Sequence, residues 1–271
     1  MILFPNCKIN LGLQILRRRA DGYHDIATVM YPVNWCDVLE IVPSSDGETH
    51  LYTSGNAVDC PAEKNLVMKA YNAVKQVFPE HPAVDIHLHK IIPDGAGLGG
   101  GSSDASFTIR GLNEMFALGM NNEQLAQIAA TIGADCPFFI YNRPLLATGI
   151  GDIFGEVDID LSQYSIVIAK PRSSVSTKEA YAGVTPHDND LDIRQILMKD
   201  ILEWKTALKN DFEDSLFPNH PEILAVKDSL YNAGALYASM TGSGAAVFGI
   251  FASKEAANNF ICKDCIIYRQ N

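Results

Sequence analysis

The chain has 271 residues, 47% of them hydrophobic, and a formal net charge of -11 at pH 7. That length suits one large domain or two modest ones, and the acidic balance speaks against a protein that holds nucleic acid by neutralising its phosphates. No apolar run reaches the roughly 18–20 residues of a membrane span, and an anionic ligand would have to be held by local devices such as a helix N-terminus, backbone amides, a metal ion or one or two basic side chains.

In chain order, Met1 to Lys8 reads as the start of a folded domain and not as a leader, because Lys8 interrupts the apolar stretch and no small-residue cleavage site follows. Ile9 to Leu16 alternates apolar and polar, as a half-buried strand does. A basic turn with an Asp21-Gly22 step follows, then strands over 26–33 and 38–42. Leu66, Ala70, Ala73 and Val77 stand at helical spacing and predict a helix over 65–78. Val84 to His89 alternates strictly, with His87 and His89 on the polar face; without a third ligand they are not assigned to a metal.

Five glycines then fall within 95–101, and Ala105, Ile109, Leu112 and Phe116 follow at helical spacing, with Ser102 or Ser103 as the expected N-cap. A second helix is expected over 122–132, followed by a break at Gly133-Ala134-Asp135-Cys136-Pro137. Thr148 to Asp152 is a glycine-rich turn and the candidate boundary between domains 1–152 and 153–271. Beyond it come a strand over 165–169, helices over 177–182, 191–208, 222–232 and 254–261, and a last strand at 266–268. Both halves mix strands and helices, so the fold class is α+β. The lone Cys262-Lys-Asp-Cys265 lacks a second ligand pair for zinc and reads as packing thiols in a reducing compartment, hence the cytosol.

The glycine segment satisfies G-x-G-x-x-G, but a dinucleotide fold would need a strand and an acidic residue about 20 residues on, where this chain has the helical Glu123-Gln-Leu-Ala-Gln. It lacks the lysine of a Walker A loop. What remains is a backbone able to approach a polyphosphate, the positive end of a helix, and two hydroxyls, Ser102 and Ser103, able to reach a phosphate oxygen or a Mg²⁺.

Here the sequence resembles a family. Pro93 through Ser103 looks like the phosphate loop of the galactokinase–homoserine kinase–mevalonate kinase–phosphomevalonate kinase (GHMP) superfamily. The triple glycine running into Ser-Ser-Asp-Ala is similar to the branch that acts on 4-diphosphocytidyl-2-C-methyl-D-erythritol. Cys7-Lys8-Ile9-Asn10-Leu11, Arg19 to His24, Gly133 to Phe139 and Thr241-Gly-Ser-Gly244-Ala245 resemble that branch's other motifs, in the same order. The resemblance implies two domains with the site in a cleft, ATP as co-substrate with Mg²⁺, and a place in the non-mevalonate route to isoprenoids.

It also implies residue roles. Asp135 would orient the acceptor hydroxyl and take its proton; without the family, an Asp here could merely cap a turn. Lys8 would keep that carboxylate ionised and steady the moving phosphoryl group; without the family, a strand lysine is either solvated or a buried partner for an anion. Asn10, two residues on and so on the same strand face, would hold the substrate diol. Asn65 would lie beside the adenine, and Pro93, Asp94, Gly95, Ala96, Gly97, Leu98, Gly99, Gly100, Gly101, Ser102 and Ser103 would line the nucleotide. Tyr23, His24, Thr177 and Tyr181 would form the cytosine pocket, with Tyr181 in place of the family's usual phenylalanine. Asp152 stands where the family more often has glutamate. Two alternatives are another superfamily kinase, whose substrate has no base to stack, and a non-catalytic nucleotide-binding regulator, against which the presence of both Lys8 and Asp135 argues.

Overall fold

The computed structural model describes residues 1–57, 60–187 and 192–270. Its strands are β1 (Ile2–Leu3), β2 (Asn6–Arg18), β3 (His24–Cys36), β4 (Val38–Pro43), β5 (His50–Gly55), β6 (Val84–Lys90), β7 (Leu145–Thr148), β8 (Ile153–Glu156), β9 (Ser165–Pro171), β10 (Tyr237–Met240), β11 (Val247–Phe251) and β12 (Cys265–Gln270). Its helices are α1 (Leu66–Val77), α2 (Gly100–Met115), α3 (Asn122–Ala130), α4 (Cys136–Tyr141), α5 (Thr177–Ala182), α6 (Ile193–Leu197), α7 (Ile201–Ala207), α8 (Phe212–Leu216), α9 (Pro221–Asn232) and α10 (Lys254–Asn258).

Packing divides the chain into two compact units that interleave along the sequence. One comprises Met1–Cys7, Asn34–Asp94 and Gly99–Arg143; the other comprises Lys8–Val33, Gly95–Leu98 and Pro144–Asn271. A single cut at residue 152 does not describe these units, because β2 and β3 pair with β7 and β8 in one sheet and carry most of their length into the second unit.

The first unit has one sheet, in the order β1-β4-β6-β5. Period-2 alternation buries Val84, Ile86 and Leu88 of β6 and leaves His87 and His89 exposed. The buried face packs with Val67, Ala70 and Val74 of α1 and Ile109 and Leu112 of α2, with α3 and α4 completing the core. β5 was not legible in the sequence: His50–Gly55 has only one aliphatic residue, and it is held by parallel pairing with β6, by Tyr52 stacked on His87 at 4.7 Å and by Ser54 bonded to His89.

The second unit has two four-stranded sheets, β2-β3-β7-β8 and β10-β11-β9-β12. β9 is buried along its whole length and lies between β11 and β12, both antiparallel to it. The core is formed by Val167 and Ala169 of β9, Val247 and Phe251 of β11, Phe212 and Leu216 of α8, and Ile223, Val226 and Leu230 of α9.

Several expectations are corrected. The helix expected over 191–208 starts on a residue outside the described ones, and from there it is two helices, α6 and α7, because Asp192 and Asp200 each cap a new start through their side chains. The last helix ends at Asn258, short of 261. Cys262 and Cys265 are joined in a disulfide and are not packing thiols. β2 is buried over ten consecutive residues, not on alternate ones, because both of its faces are covered.

Candidate active site

Lys8 and Asn10 lie on β2 and are 3% and 2% exposed. Their positions two apart bring both side chains to one face. The Lys8 ammonium donates to Asn10 Oδ1 at 2.6 Å and to the Gly97 carbonyl at 2.9 Å. Asn10 Nδ2 donates to Thr28 Oγ1 at 3.0 Å, and Asn10 N donates to Thr241 Oγ1 at 3.1 Å. The Thr241 hydroxyl stands 3.2 Å from Asn10 Oδ1 and 3.3 Å from Gly97 O, so it faces the same two acceptors as Lys8. Burial of an ammonium is costly without such partners, and the open question over Lys8 is thereby settled for burial.

The glycine segment is shared by the two units, with Gly95–Leu98 in one and Gly99 onward in the other. Ala96 and Leu98 are buried, and their carbonyls accept from Ala246 N and Lys8 N. Gly97 has φ +73°, and a Cβ there would lie 2.1 Å from the Thr241 carbonyl; backbone therefore meets backbone where the first and last glycine motifs come together. Gly99, at φ +71°, is the N-cap of α2, a correction of the expected Ser102 or Ser103. Glycine adopts this left-handed conformation without steric cost, and the first helical bond runs from Ser103 N to Gly99 O. Gly100 packs over Ile92 and Lys90, and Gly101 packs on Leu66, which follows Asn65. The Asn65 side chain accepts from Val67 N and caps α1. Pro93 is half-buried, and Asp94 and Gly95 are exposed. The N–H groups of the first turn of α2 carry the positive end of a helix of 16 residues.

Asp135 is half-buried and directly precedes α4, whose first turn contains Pro137. Its placement is set from α2: Ser106 Oγ lies 2.9 Å from the Ser102 carbonyl of its own helix and 2.7 Å from the carbonyl of Cys136. The residue after Asp135 is thus bonded to the second turn of the helix that the glycine loop opens.

In the second unit the His24 and Tyr181 rings stack at 4.8 Å, 22° from parallel, and Tyr181 meets Phe212 edge-on at 4.9 Å. Tyr23 is 61% exposed. It stands on a braced turn: Arg19 N donates to Tyr23 O, Tyr23 N donates to Asp21, and Arg17 and Arg19 pair with Asp25, whose carboxyl the Arg17 bond holds below its usual range. Thr177 Oγ1 lies 3.5 Å from Ser243 Oγ in the last glycine motif. Asp152 caps its own hairpin, accepting from Ile150 N at 3.1 Å.

Residues 65–143 match the GHMP kinases N terminal domain, and residues 192–263 match the GHMP kinases C terminal domain. A 4-diphosphocytidyl-2-C-methyl-D-erythritol kinase of Parabacteroides distasonis is 51% identical, over 93% of this chain and 92% of that protein. Its counterpart in Bacteroides thetaiotaomicron is 50% identical over the same shares. This chain belongs to the 4-diphosphocytidyl-2-C-methyl-D-erythritol kinase family. A crystal structure of 4-(cytidine 5'-diphospho)-2C-methyl-D-erythritol kinase superposes with a TM-score of 0.82 at 30% identity, over 95% of this chain and 92% of that one. The mevalonate kinase of Methanococcus jannaschii, 13% identical with a TM-score of 0.73 over 99% and 97% of the two chains, shares the fold.

This ATP-dependent small-molecule kinase also has a buried charge cluster that sequence reading missed. Lys90, at the end of β6, donates to Asp37 and to Asp104 Oδ2, the latter at 2.6 Å. Asp37 Oδ1 also accepts from Ile91 N and Ile92 N, just before the glycine loop, while Asp104 sits in the second turn of α2. The only signal in the sequence was Lys90 itself, a polar residue ending a strand. Burial works against the Lys90 charge, but the two carboxylates outweigh it and raise its pKa. Burial pushes Asp104 up to about 8, against the pull of Lys90 and with the push of Asp37. A raised carboxyl pKa means the folded state binds the proton more tightly than the unfolded one, so stability is lost as pH climbs from about 4 to about 8. Asp104→Asn removes that loss. Its melting temperature should exceed that of the wild type by more at pH 8.5 than at pH 5, by about 2–4 °C for each kcal/mol. Thermal unfolding across pH checks this, and a pH-independent difference would show that Asp104 is ionised throughout.

Proposed function

We propose that this kinase moves the γ-phosphoryl group of ATP to the 2-hydroxyl of 4-diphosphocytidyl-2-C-methyl-D-erythritol, a step of the non-mevalonate isoprenoid route. The observation that carries the reading is the buried Lys8 ammonium bonded to Gly97, a carbonyl of the glycine loop itself. Phosphoryl transfer asks for positioning and charge stabilisation more than for covalent chemistry. The hydroxyl oxygen bonds to the γ-phosphorus as the bond to the bridging oxygen breaks, and ADP leaves. Asp135 orients the hydroxyl and takes its proton, Lys8 steadies the transferred charge, and Asn10 holds the diol. The N-terminus of α2 faces the phosphates. Mg²⁺ belongs to the same reading and would neutralise charge on the phosphate oxygens. The Ser103 hydroxyl, buried without a hydrogen-bond partner among the described residues, and that of Ser102 suit a cation that takes oxygen ligands.

Tyr23, His24, Thr177 and Tyr181 grip the cytosine in this reading, with Tyr181 backed by Phe212. A cytosolic setting goes with it: Cys7, Cys36, Cys60 and Cys136 stand outside any disulfide, while Cys262 and Cys265 are joined. No helix among the described residues is long and apolar enough to cross a membrane.

The test is a coupled ADP-release assay against the cytidine-diphosphate-linked alcohol, mevalonate and homoserine. Turnover is expected with the first alone, and a preference for either of the others would overturn the substrate. Tyr23→Ala should raise the Michaelis constant of the acceptor about tenfold, because a stacked base is worth ~1–3 kcal/mol, while leaving that of ATP in place. Equal effects on both would remove Tyr23 from the base pocket.

A further inference from the structure

Residues 209–213 run beside β2 as a short parallel bridge. Leu13 N donates to Lys209 O and Asp211 N to Leu13 O, each at 2.9 Å. From that seat two buried side chains reach the end of β10 and the turn beyond it. Asn210, fully buried, donates through Nδ2 to Met240 O at 2.8 Å and Gly242 O at 2.9 Å, and its Oδ1 accepts from Phe212 N at 3.1 Å. Both of its amide hydrogens and its oxygen are therefore used. Glu213, 3% exposed, accepts from Met240 N at 2.8 Å and Ser239 Oγ at 3.1 Å with one oxygen, and from Lys227 Nζ at 2.5 Å with the other. The main chain from 240 to 242 is thus gripped at three points.

Thr241 lies in the middle of the gripped stretch, and its hydroxyl faces Asn10 Oδ1 and Gly97 O, the two acceptors of Lys8. We propose that Asn210 and Glu213 are positioning residues for phosphoryl transfer, acting through Thr241 on the Lys8–Asn10–Gly97 contact. A shift of the turn would carry Thr241 away from both oxygens and let the ammonium move, and a displacement near 1 Å is enough to cost a large factor in rate. Phe212, between the two residues, meets the Tyr181 ring edge-on at 4.9 Å.

The inference rests on the reading of Lys8 given above, so the experiment contains both. Turnover is measured per folded protein, well below the melting temperature, for Asn210→Asp, Lys8→Met and the double variant. Asn210→Asp turns an amide donor into a carboxylate facing two carbonyls. It should lower kcat about tenfold or more while each Michaelis constant moves less than about threefold, and it should cost less than about twofold on top of Lys8→Met. A merely structural role would lower the melting temperature and leave kcat per folded molecule and the Lys8→Met background unchanged. Glu213→Gln, which keeps the shape, carries the same test if Asn210→Asp gives no folded protein, with a kcat loss of about threefold or more expected. Full turnover in these variants beside an inactive Lys8→Met would overturn the inference alone, as would losses that multiply in full. Near-normal turnover of Lys8→Met would overturn the role of Lys8 and the inference with it.

Discussion

Asp135→Asn is expected to lower kcat at least about 10²-fold, with both substrates still bound and the melting temperature little changed or raised. The substitution keeps the shape of the side chain at the start of α4 and removes its charge. A general base typically contributes 10²–10⁴-fold, and lost orientation of the hydroxyl adds to that. The start of α4 keeps its hold through Ser106 on the Cys136 carbonyl, which the substitution leaves in place. Removing a charge kept for function can even stabilise a protein. Lys8→Met should cost a comparable factor, and the double variant much less than the product, because groups that act as a unit do not add. Turnover, equilibrium binding of each substrate and thermal unfolding of the three proteins decide the matter. Near-normal turnover in folded Asp135→Asn would leave positioning and charge stabilisation as the whole mechanism.

Gly97→Ala is expected to lower both turnover and stability. Its φ of +73° costs a non-glycine residue about 1–2 kcal/mol. The added Cβ would also lie 2.1 Å from the Thr241 carbonyl, and both sides of that contact are main chain. The loop and the Thr241 turn must therefore separate, which disturbs the Gly97 and Asn10 oxygens that hold Lys8. The expected result is a kcat loss of about 10²-fold or more and a melting temperature lower by several degrees. Gly119→Ala is the control. Gly119 has nearly the same φ, +72°, with nothing within 4 Å of its Cβ position, so it isolates backbone strain from close approach. If Gly97→Ala unfolds no earlier than Gly119→Ala and turns over normally, the contact between the two glycine motifs is not part of the machinery.

The sequence by itself determined the elements with a clear period and the motifs whose chemistry is local. Alternation marked β6, helical spacing marked α1 and α2, and the run of glycines marked where α2 begins. These signals survive because period and turn chemistry are properties of neighbouring residues. What sequence reading missed or left open depended on partners distant in the chain. Lys8 had two readings on a strand taken to be half-buried; burial of both faces of β2 and the contact with Gly97, 89 residues away, removed the solvated one. Asn10 meets Thr241 across 231 positions, and no spacing rule spans that distance. Asn210, Glu213 and the partners of Lys90 were missed for the same reason. A polar residue reads as surface until the fold supplies the hydrogen bonds that make its burial tolerable, and those bonds exist only once the distant strands and turns have come together.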